Sequence, residues 1–281
     1  MQAPQSRALV PRLDWLSEAG STNAVLVAAA GGPDAAGWPD LSVVVTDNQT
    51  AGRGRLGRVW SAPAGASLAI SVLLRPPLMG GEALPIEALG WLPLIGGAAM
   101  ARAVNGVLGR GAASAAGAGT GGAGTPRAAV KWPNDVLIDG AKVCGVLSEL
   151  LPGATGVVVG AGVNLFLTRE QLPVATATSL ALAVASGFTA DDVLAGYLVE
   201  FTRLYRSFLA AGGDAAESGV ASVVSELCDT LGRRVRVELP TGDVVMGQAD
   251  ALDAAGRLRV TRDDGTGELV VSAGDVTHLR Y

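Results

Sequence analysis

Residues 47–60 read Asp47-Asn-Gln-Thr-Ala-Gly-Arg-Gly-Arg-Leu-Gly-Arg-Val-Trp60. Between Gly52 and Arg58, three arginines (Arg53, Arg55, Arg58) are interleaved with three glycines (Gly52, Gly54, Gly57). Glycine lets backbone N–H groups come close to a ligand, and guanidinium offers forked, charge-assisted donors suited to carboxylate or phosphate. The chain as a whole carries a formal net charge of -5, so this positive charge is local and marks a candidate anion-binding loop. The flanks decide the fold. Leu41-Ser-Val-Val-Val-Thr46 predicts a strand running into the loop, and Ser67-Leu-Ala-Ile-Ser-Val-Leu-Leu74 predicts a second strand after it. Gly52-x-Gly54-x-x-Gly57 spells the dinucleotide fingerprint, but that fingerprint opens a helix within a βαβ unit. Here the loop joins strand to strand, and no Gly-Lys-Ser/Thr follows to make a P-loop. A solvated basic turn is the bland alternative.

A chain of 281 residues can bury a sizeable core, as one large domain with a smaller one. Its 49% hydrophobic and 17% charged residues place it with globular rather than disordered chains. The acidic balance argues against general nucleic-acid binding, which needs a basic face. Prolines at positions 4 and 11 interrupt an amino terminus that has no secretory apolar core, and a short loose arm is expected. The apolar run Ala88–Ala101, flanked by Glu87 and Arg102, is too short for a membrane span and predicts a buried helix. Cys144 and Cys228 have neither metal nor redox spacing, so reduced thiols in the cytoplasm are expected, with Cys144 in the core. The single histidine, His278, removes Ser-His and Cys-His catalysis and histidine-rich metal sites from consideration. Charge-based chemistry by Arg and Lys is left.

Ser21-Thr22-Asn23 precedes Ala-Val-Leu-Val-Ala and predicts an N-capped helix, whose hydroxyls and free amides could also face a polar ligand. Ile86–Leu108 has helical spacing, and the Gly/Ala-rich stretch after it, 109–127, predicts a flexible loop. Lys131-Trp132-Pro133-Asn134-Asp135 and Lys142-x-x-Gly145 lie on a predicted strand-turn-strand unit. Gly156–Leu165 predicts a strand whose glycines permit close approach of a ligand or another chain segment. Thr189 and Asp192 predict a capping box. It opens an amphipathic helix whose Tyr197, Phe201, Tyr205 and Phe208 share an apolar face. From Gly232 onward, short strands with tight turns predict a small β-barrel.

Taken together, Ser21-Thr22-Asn23, Gln49-Thr-Ala-Gly-Arg-Gly-Arg-x-Gly-Arg-x-Trp60, Lys131-Trp-Pro-Asn-Asp135 with Lys142-x-x-Gly145, and Gly160-x-Gly-x-Asn164 resemble the bacterial biotin protein ligases. The resemblance runs in order over most of the chain. It implies an α+β fold: a mixed sheet with helices like that of class II aminoacyl-tRNA synthetases (residues 1–228), then an SH3-like barrel (229–281). It also implies that biotin and MgATP give biotinyl-5'-adenylate and pyrophosphate, and that biotin then passes to a lysine of a biotin carboxyl carrier domain of a carboxylase. No DNA or membrane partner is implied. Only twenty residues precede Ser21, so the chain resembles the monofunctional kind without a winged helix.

The expected roles follow from the reaction. Lys142, Arg53 and Arg55 serve the junction of carboxylate and α-phosphate, and Arg58 the distal phosphates. Ser21, Thr22, Asn23 and Gln49 suit the ureido ring, while Gly52 and Gly54 belong to the loop over biotin and Gly145 leaves room beside the bicycle. Trp60, Lys131, Asn134 and Asn164 fall to the nucleotide. Asp135 either orients Lys142, positions the acceptor lysine or is a turn residue. Two anions must meet, and one unit-charge contact at ~4 Å with an effective dielectric of about 20 is worth on the order of 4 kcal/mol. Magnesium is implied by ATP, without a ligand spacing to assign it. A lipoate or octanoyl protein ligase of the same fold is the alternative, although its Arg-Arg…Gly-Gly-Gly…His stretch is absent.

Overall fold

The computed structural model describes residues 3–77, 83–116, 126–184, 187–239, 241–272 and 275–278. In chain order it contains α1 (Pro4–Arg7), β1 (Leu13–Leu16), α2 (Thr22–Gly31), β2 (Val43–Thr46), β3 (Gly52–Arg53), β4 (Val59–Trp60), β5 (Ser67–Leu74) and α3 (Trp91–Ala116). There follow β6 (Ala128–Lys131), β7 (Asp135–Ile138), β8 (Ala141–Leu150), β9 (Val157–Asn164), α4 (Leu180–Ala183), α5 (Ala190–Ala210) and α6 (Val220–Leu227). The last five strands are β10 (Arg234–Glu238), β11 (Val244–Leu252), β12 (Leu258–Arg262), β13 (Glu268–Val271) and β14 (Asp275–His278).

Seven strands form a mixed sheet in the order β1-β2-β5-β9-β8-β7-β6. The β1–β2 pair is parallel and the others are antiparallel. Alternation along a strand separates two layers. Val43 and Val45 of β2, Leu68, Ile70, Val72 and Leu74 of β5, and Val157, Val159, Ala161 and Val163 of β9 belong to the main core, with α3 and α5. The intervening Val44, Leu73 and Val158 pack with Leu26 and Ala30 of α2 on the other face. On that second face lie Ser71, Gly160 and Gly162, and there the site forms.

The helices start where side chains satisfy free N–H groups. Ser21 Oγ accepts from Ala24 N–H at the start of α2, and Thr189 with Asp192 forms the expected capping box of α5. Tyr197, Phe201, Tyr205 and Phe208 are buried as the periodicity predicts. The amino-terminal segment differs from the loose arm expected. Backbone N–H groups of Gln5 and Ser6 donate to the Asp191 carboxylate at 3.0 and 3.2 Å, pinning α1 to the first turn of α5. The Gly/Ala-rich stretch also differs. Helix α3 continues through it to Ala116, so 109–116 is helical, while 117–125 lies outside the described residues. The segment from Ile86 begins as a 3-10 turn before α3, and this long apolar helix sits mostly inside the fold.

The carboxy-terminal strands pair antiparallel in the order β13-β12-β11-β10-β14. No ladder closes β13 onto β14 among the described residues, so the expected small barrel is found here as a five-stranded sheet. It joins the main core through Val235, Val237, Leu258 and Val260. Two buried indoles also cross the seam: Trp91 Nε1–H donates to Ala254 O at 2.8 Å, and Trp132 Nε1–H to Gly256 O at 3.0 Å. Phe201 is fully buried between Tyr197 and Tyr205 on α5. Phe201→Ala should lower stability by about 3–5 kcal/mol through lost transfer energy and a cavity. A fall in the denaturant midpoint measures it.

Candidate active site

A cavity of about 490 Å³ opens on the α2 face of the sheet, within the range of small-molecule sites. Its wall includes Ser21, Thr22, Asn23, Gln49, Arg53, Gly54, Arg55, Arg58, Trp60, Lys131, Asn134, Asp135, Lys142, Gly145 and Asn164. Every site residue expected from the sequence except Gly52 therefore lines one cavity.

A register irregularity positions the lysine. Strand β8 pairs Cys144 with Val136 and then Lys142 with Leu137, leaving Val143 as the extra residue of a β-bulge. Without it, alternation would put Lys142 on the face of Cys144, which is fully buried in the main core. The bulge turns Lys142 to the opposite face, that of Gly145 and Asp135, which pair across β8 and β7. Lys142 Nζ lies 2.7 Å from Asp135 Oδ1. Its backbone is held as well: Lys142 N–H donates to Thr176 O, and Lys142 O accepts from Thr178 N–H, both at 2.8 Å. A Cβ on Gly145 would stand 3.3 Å from Lys142 Nζ, so the missing side chain makes room for this ion pair.

The arginine loop is a small hairpin in which β3 pairs with β4, joined by a 3-10 turn at Arg55–Gly57. Two arginines anchor it. Arg53 Nη2 lies 3.3 and 3.4 Å from the Glu149 carboxylate oxygens, and Arg55 Nη1–H donates to Asn134 Oδ1 at 3.2 Å. Asn134 is itself fixed, since Nδ2–H donates to Val146 O at 2.9 Å. Gly52 does not line the cavity; a Cβ there would strike Gln49 and Trp60 O, so Gly52 serves the packing of the hairpin.

At the other end, the amino terminus of α2 meets a polar network. Gln49 Oε1 accepts from Thr22 N–H at 2.9 Å, with Thr22 Oγ1 at 3.2 Å. Ser71 Oγ donates to Asn23 Oδ1 at 2.6 Å and lies 2.8 Å from Thr22 Oγ1. Asn23 Nδ2–H groups donate to Glu149 Oε1 at 2.7 Å and to Leu147 O at 3.3 Å. The Asn23 amide thus has protein partners on both its oxygen and its nitrogen while it lines the cavity. Asn164 is similar, with Nδ2–H donating to Thr178 O at 2.9 Å.

The floor is strand β9. A Cβ at Gly160 would collide with the Asn23 amide, and one at Gly162 would come within 2.7 Å of the Trp60 indole. Both side chains lie directly on bare backbone, as the sequence glycines allowed. The indole Nε1–H of Trp60 is buried without a hydrogen-bond partner among the described residues. Sequence reasoning missed Glu149 and Ser71, whose partners lie far away in the chain. It also missed Val276 and Thr277, by which the second sheet reaches the cavity.

The fold and this geometry agree with known proteins. Residues 23–164 match the biotin/lipoate A/B protein ligase family, and residues 230–279 match the biotin protein ligase C terminal domain. The biotin--[acetyl-CoA-carboxylase] ligase of Mycobacterium tuberculosis is 37% identical over 270 residues, covering 96% of this chain and 90% of that protein. The chain belongs to the biotin/lipoate A/B protein ligase family. Another relative, the biotin--[acetyl-CoA-carboxylase] ligase of Paracoccus denitrificans, is 38% identical over 153 residues, 53% of each chain. In fold, the chain superposes on the biotin protein ligase of Aquifex aeolicus in complex with biotin and ATP with a TM-score of 0.70. Identity is 24%, over 96% of this chain and 100% of that one.

One further group of this family member stands behind the Lys131–Asp135 segment. His278 Nε2 lies 3.0 Å from Thr230 Oγ1, which accepts from Trp132 N–H at 3.0 Å. Burial first, then Lys131 and Arg233, outweigh Asp229 and push the His278 pKa down from 6.5 to about 4. The unfolded chain therefore binds more protons between these values, and stability falls as pH drops from 6.5 toward about 4. In His278→Gln this contribution is absent, so the gap in melting temperature between wild type and variant should narrow on going from pH 7 to pH 5.

Proposed function

We propose that the protein is an ATP-dependent biotin protein ligase. In the first step a biotin carboxylate oxygen attacks the α-phosphorus of ATP; a mixed anhydride forms and pyrophosphate leaves. In the second, a lysine amine of a biotin carboxyl carrier domain attacks the anhydride carbonyl, the amide forms, AMP leaves and the amine releases a proton. The observation that carries this reading is the meeting, in one cavity, of the bulge-positioned Lys142–Asp135 pair, the arginine hairpin and the polar end of α2.

We assign Lys142 to the carboxylate and α-phosphate oxygens, where a cation offsets the repulsion of two anions and stabilises the charge that develops as they react. Asp135 orients that ammonium. Arg55 serves the same junction from its anchor on Asn134, and Arg53 from its anchor on Glu149. Arg58 and Lys131 serve the distal phosphates. Gln49, with Ser21 and Thr22, faces the ureido ring, and Trp60 and Asn164 wall the space shared with the nucleotide. Residues 1–228 supply the catalytic face in this reading, and 229–281 close it through Val276 and Thr277.

Magnesium enters with ATP as part of the nucleotide substrate. Held mainly by the phosphates and by water, such an ion needs few protein ligands. The chemistry suits a cytoplasmic setting, where ATP and the carboxylase substrate meet.

A lipoate or octanoyl protein ligase is the competing reading, since the family includes lipoate ligases. Pyrophosphate release measured side by side with biotin, lipoate and octanoate separates them, and turnover with either fatty acid but not with biotin would overturn the assignment. Lys142→Ala should lower kcat for biotin-dependent pyrophosphate release by about a hundredfold to a thousandfold. An unchanged melting temperature would show that the fold is kept.

A further inference from the structure

Strand β8 carries a second charged side chain on the site face. Glu149 stands four residues beyond Gly145, so alternation returns it to the face of Gly145 and Leu147, opposite Val158 of β9. A carboxylate here works against gathering two substrate anions, and its contacts indicate what it does instead. Oε1 accepts from Asn23 Nδ2–H at 2.7 Å, while Arg53 Nη2 lies 3.3 Å from Oε2. Asn23 leads through Ser71 and Thr22 to Gln49 at the start of α2, and Arg53 belongs to the hairpin. Glu149 is thus where the two halves of the cavity wall are tied together. The hairpin is strapped across the face by Arg53 on Glu149 at one end and Arg55 on Asn134 at the other.

We propose that Glu149 is a positioning residue for biotin activation, tying the Arg53 hairpin to the Asn23 network so that the loop and the ureido end of the pocket form one binding surface. This rests on the biotin-ligase reading above. It acts through Arg53 and Asn23 and touches no reacting atom. The Arg53 side chain is 54% exposed, and an ion pair so open to solvent adds little to folding. Its effect therefore falls on ligand capture, where a loop held in place has less freedom left to lose.

The test is biotin- and ATP-dependent pyrophosphate release by wild type, E149Q, R53A and the double variant R53A/E149Q, with melting temperatures taken in parallel. Glutamine keeps an oxygen acceptor for Asn23 and removes the charge that holds Arg53, so E149Q isolates one arm of the tie. E149Q should raise the KM for biotin about fivefold, the size of a partly exposed ion pair, and lower kcat as well because Arg53 also serves the reacting junction, with the melting temperature unchanged. In the R53A background the same substitution should add less than about twofold, because its partner is already gone. E149A severs both arms and should raise the biotin KM further, also in the R53A background. A wild-type biotin KM in E149Q, an equal effect with and without Arg53, or a fall in melting temperature in place of the KM change would each overturn the proposal. Wild type that releases pyrophosphate with lipoate or octanoate but not with biotin would instead overturn the reading beneath it.

Discussion

One extra residue in a strand sets the chemistry of this protein. Val143 breaks the alternation of β8, and Lys142 consequently leaves the face of Cys144 for the face of Asp135 and Gly145. An ammonium group on the core side would be buried among α3 and α5 with no counter-charge, at a cost that usually drives a lysine to lose its proton. The bulge avoids that outcome and keeps the cation beside a carboxylate and partly open to solvent. Hydrogen bonds between the Lys142 backbone and Thr176 and Thr178 then secure the strand where its regular ladder is disturbed. Cys144, one residue past the bulge, shows the other side of the same geometry. It is fully enclosed, and burial drives its thiol far above the usual range, so it is an inert core group.

Around that lysine, the cavity is built by bringing side chains down onto bare backbone. Gly160 receives the Asn23 amide and Gly162 the Trp60 indole, so helix α2 and the hairpin both rest on β9 without an intervening side-chain layer. This closeness is what lets Asn23 reach Glu149 and Ser71 across two neighbouring strands. A polar network of this kind has little slack, because each member has its donors and acceptors largely used. The net charge of -5 is kept apart from it. Arg53, Arg55, Arg58, Lys131 and Lys142 converge on one concave face, so the local field opposes that of the whole chain and favours anions there.

What was legible in the sequence was local. The β-branched runs of β2 and β5, the Ser21 cap, the Thr189–Asp192 box and the aromatic stripe of α5 each depend on neighbours within a turn or a pair of residues, and each forms as expected. The strand-to-strand setting of the arginine loop was enough to exclude a dinucleotide-binding turn. The bulge was not legible, because Lys142-Val-Cys-Gly145 reads equally well as regular strand. Glu149 was hidden for a related reason. In sequence it is an ordinary polar residue near the end of an amphipathic strand, and its partners Asn23 and Arg53 lie 126 and 96 positions away. The end of α3 was misread because its last turns are rich in glycine and alanine. Local composition there pointed to a loop, whereas the helix was already nucleated by its buried first half, and propagation costs far less than nucleation.

The second sheet is the clearest case of a long-range constraint, and it explains the arrangement of tryptophans. Trp132 stands between two motif residues, Lys131 and Asn134, and borders the same cavity, while its indole N–H is turned to the carboxy-terminal sheet. It is 2% exposed, and its indole N–H donates to Gly256 O of the carboxy-terminal sheet. Its backbone N–H donates to Thr230 Oγ1, which in turn meets His278 on β14. The turn that presents Asn134 and Asp135 is therefore held from behind by the same unit that places Val276 and Thr277 in the cavity wall. A neutral His278 suits that position. A charged ring would be buried and would stand beside Lys131 and Arg233. The carboxy-terminal sheet is thus part of the site's architecture, fixing the segment that carries Lys131 and Asn134 against the strand that carries Lys142.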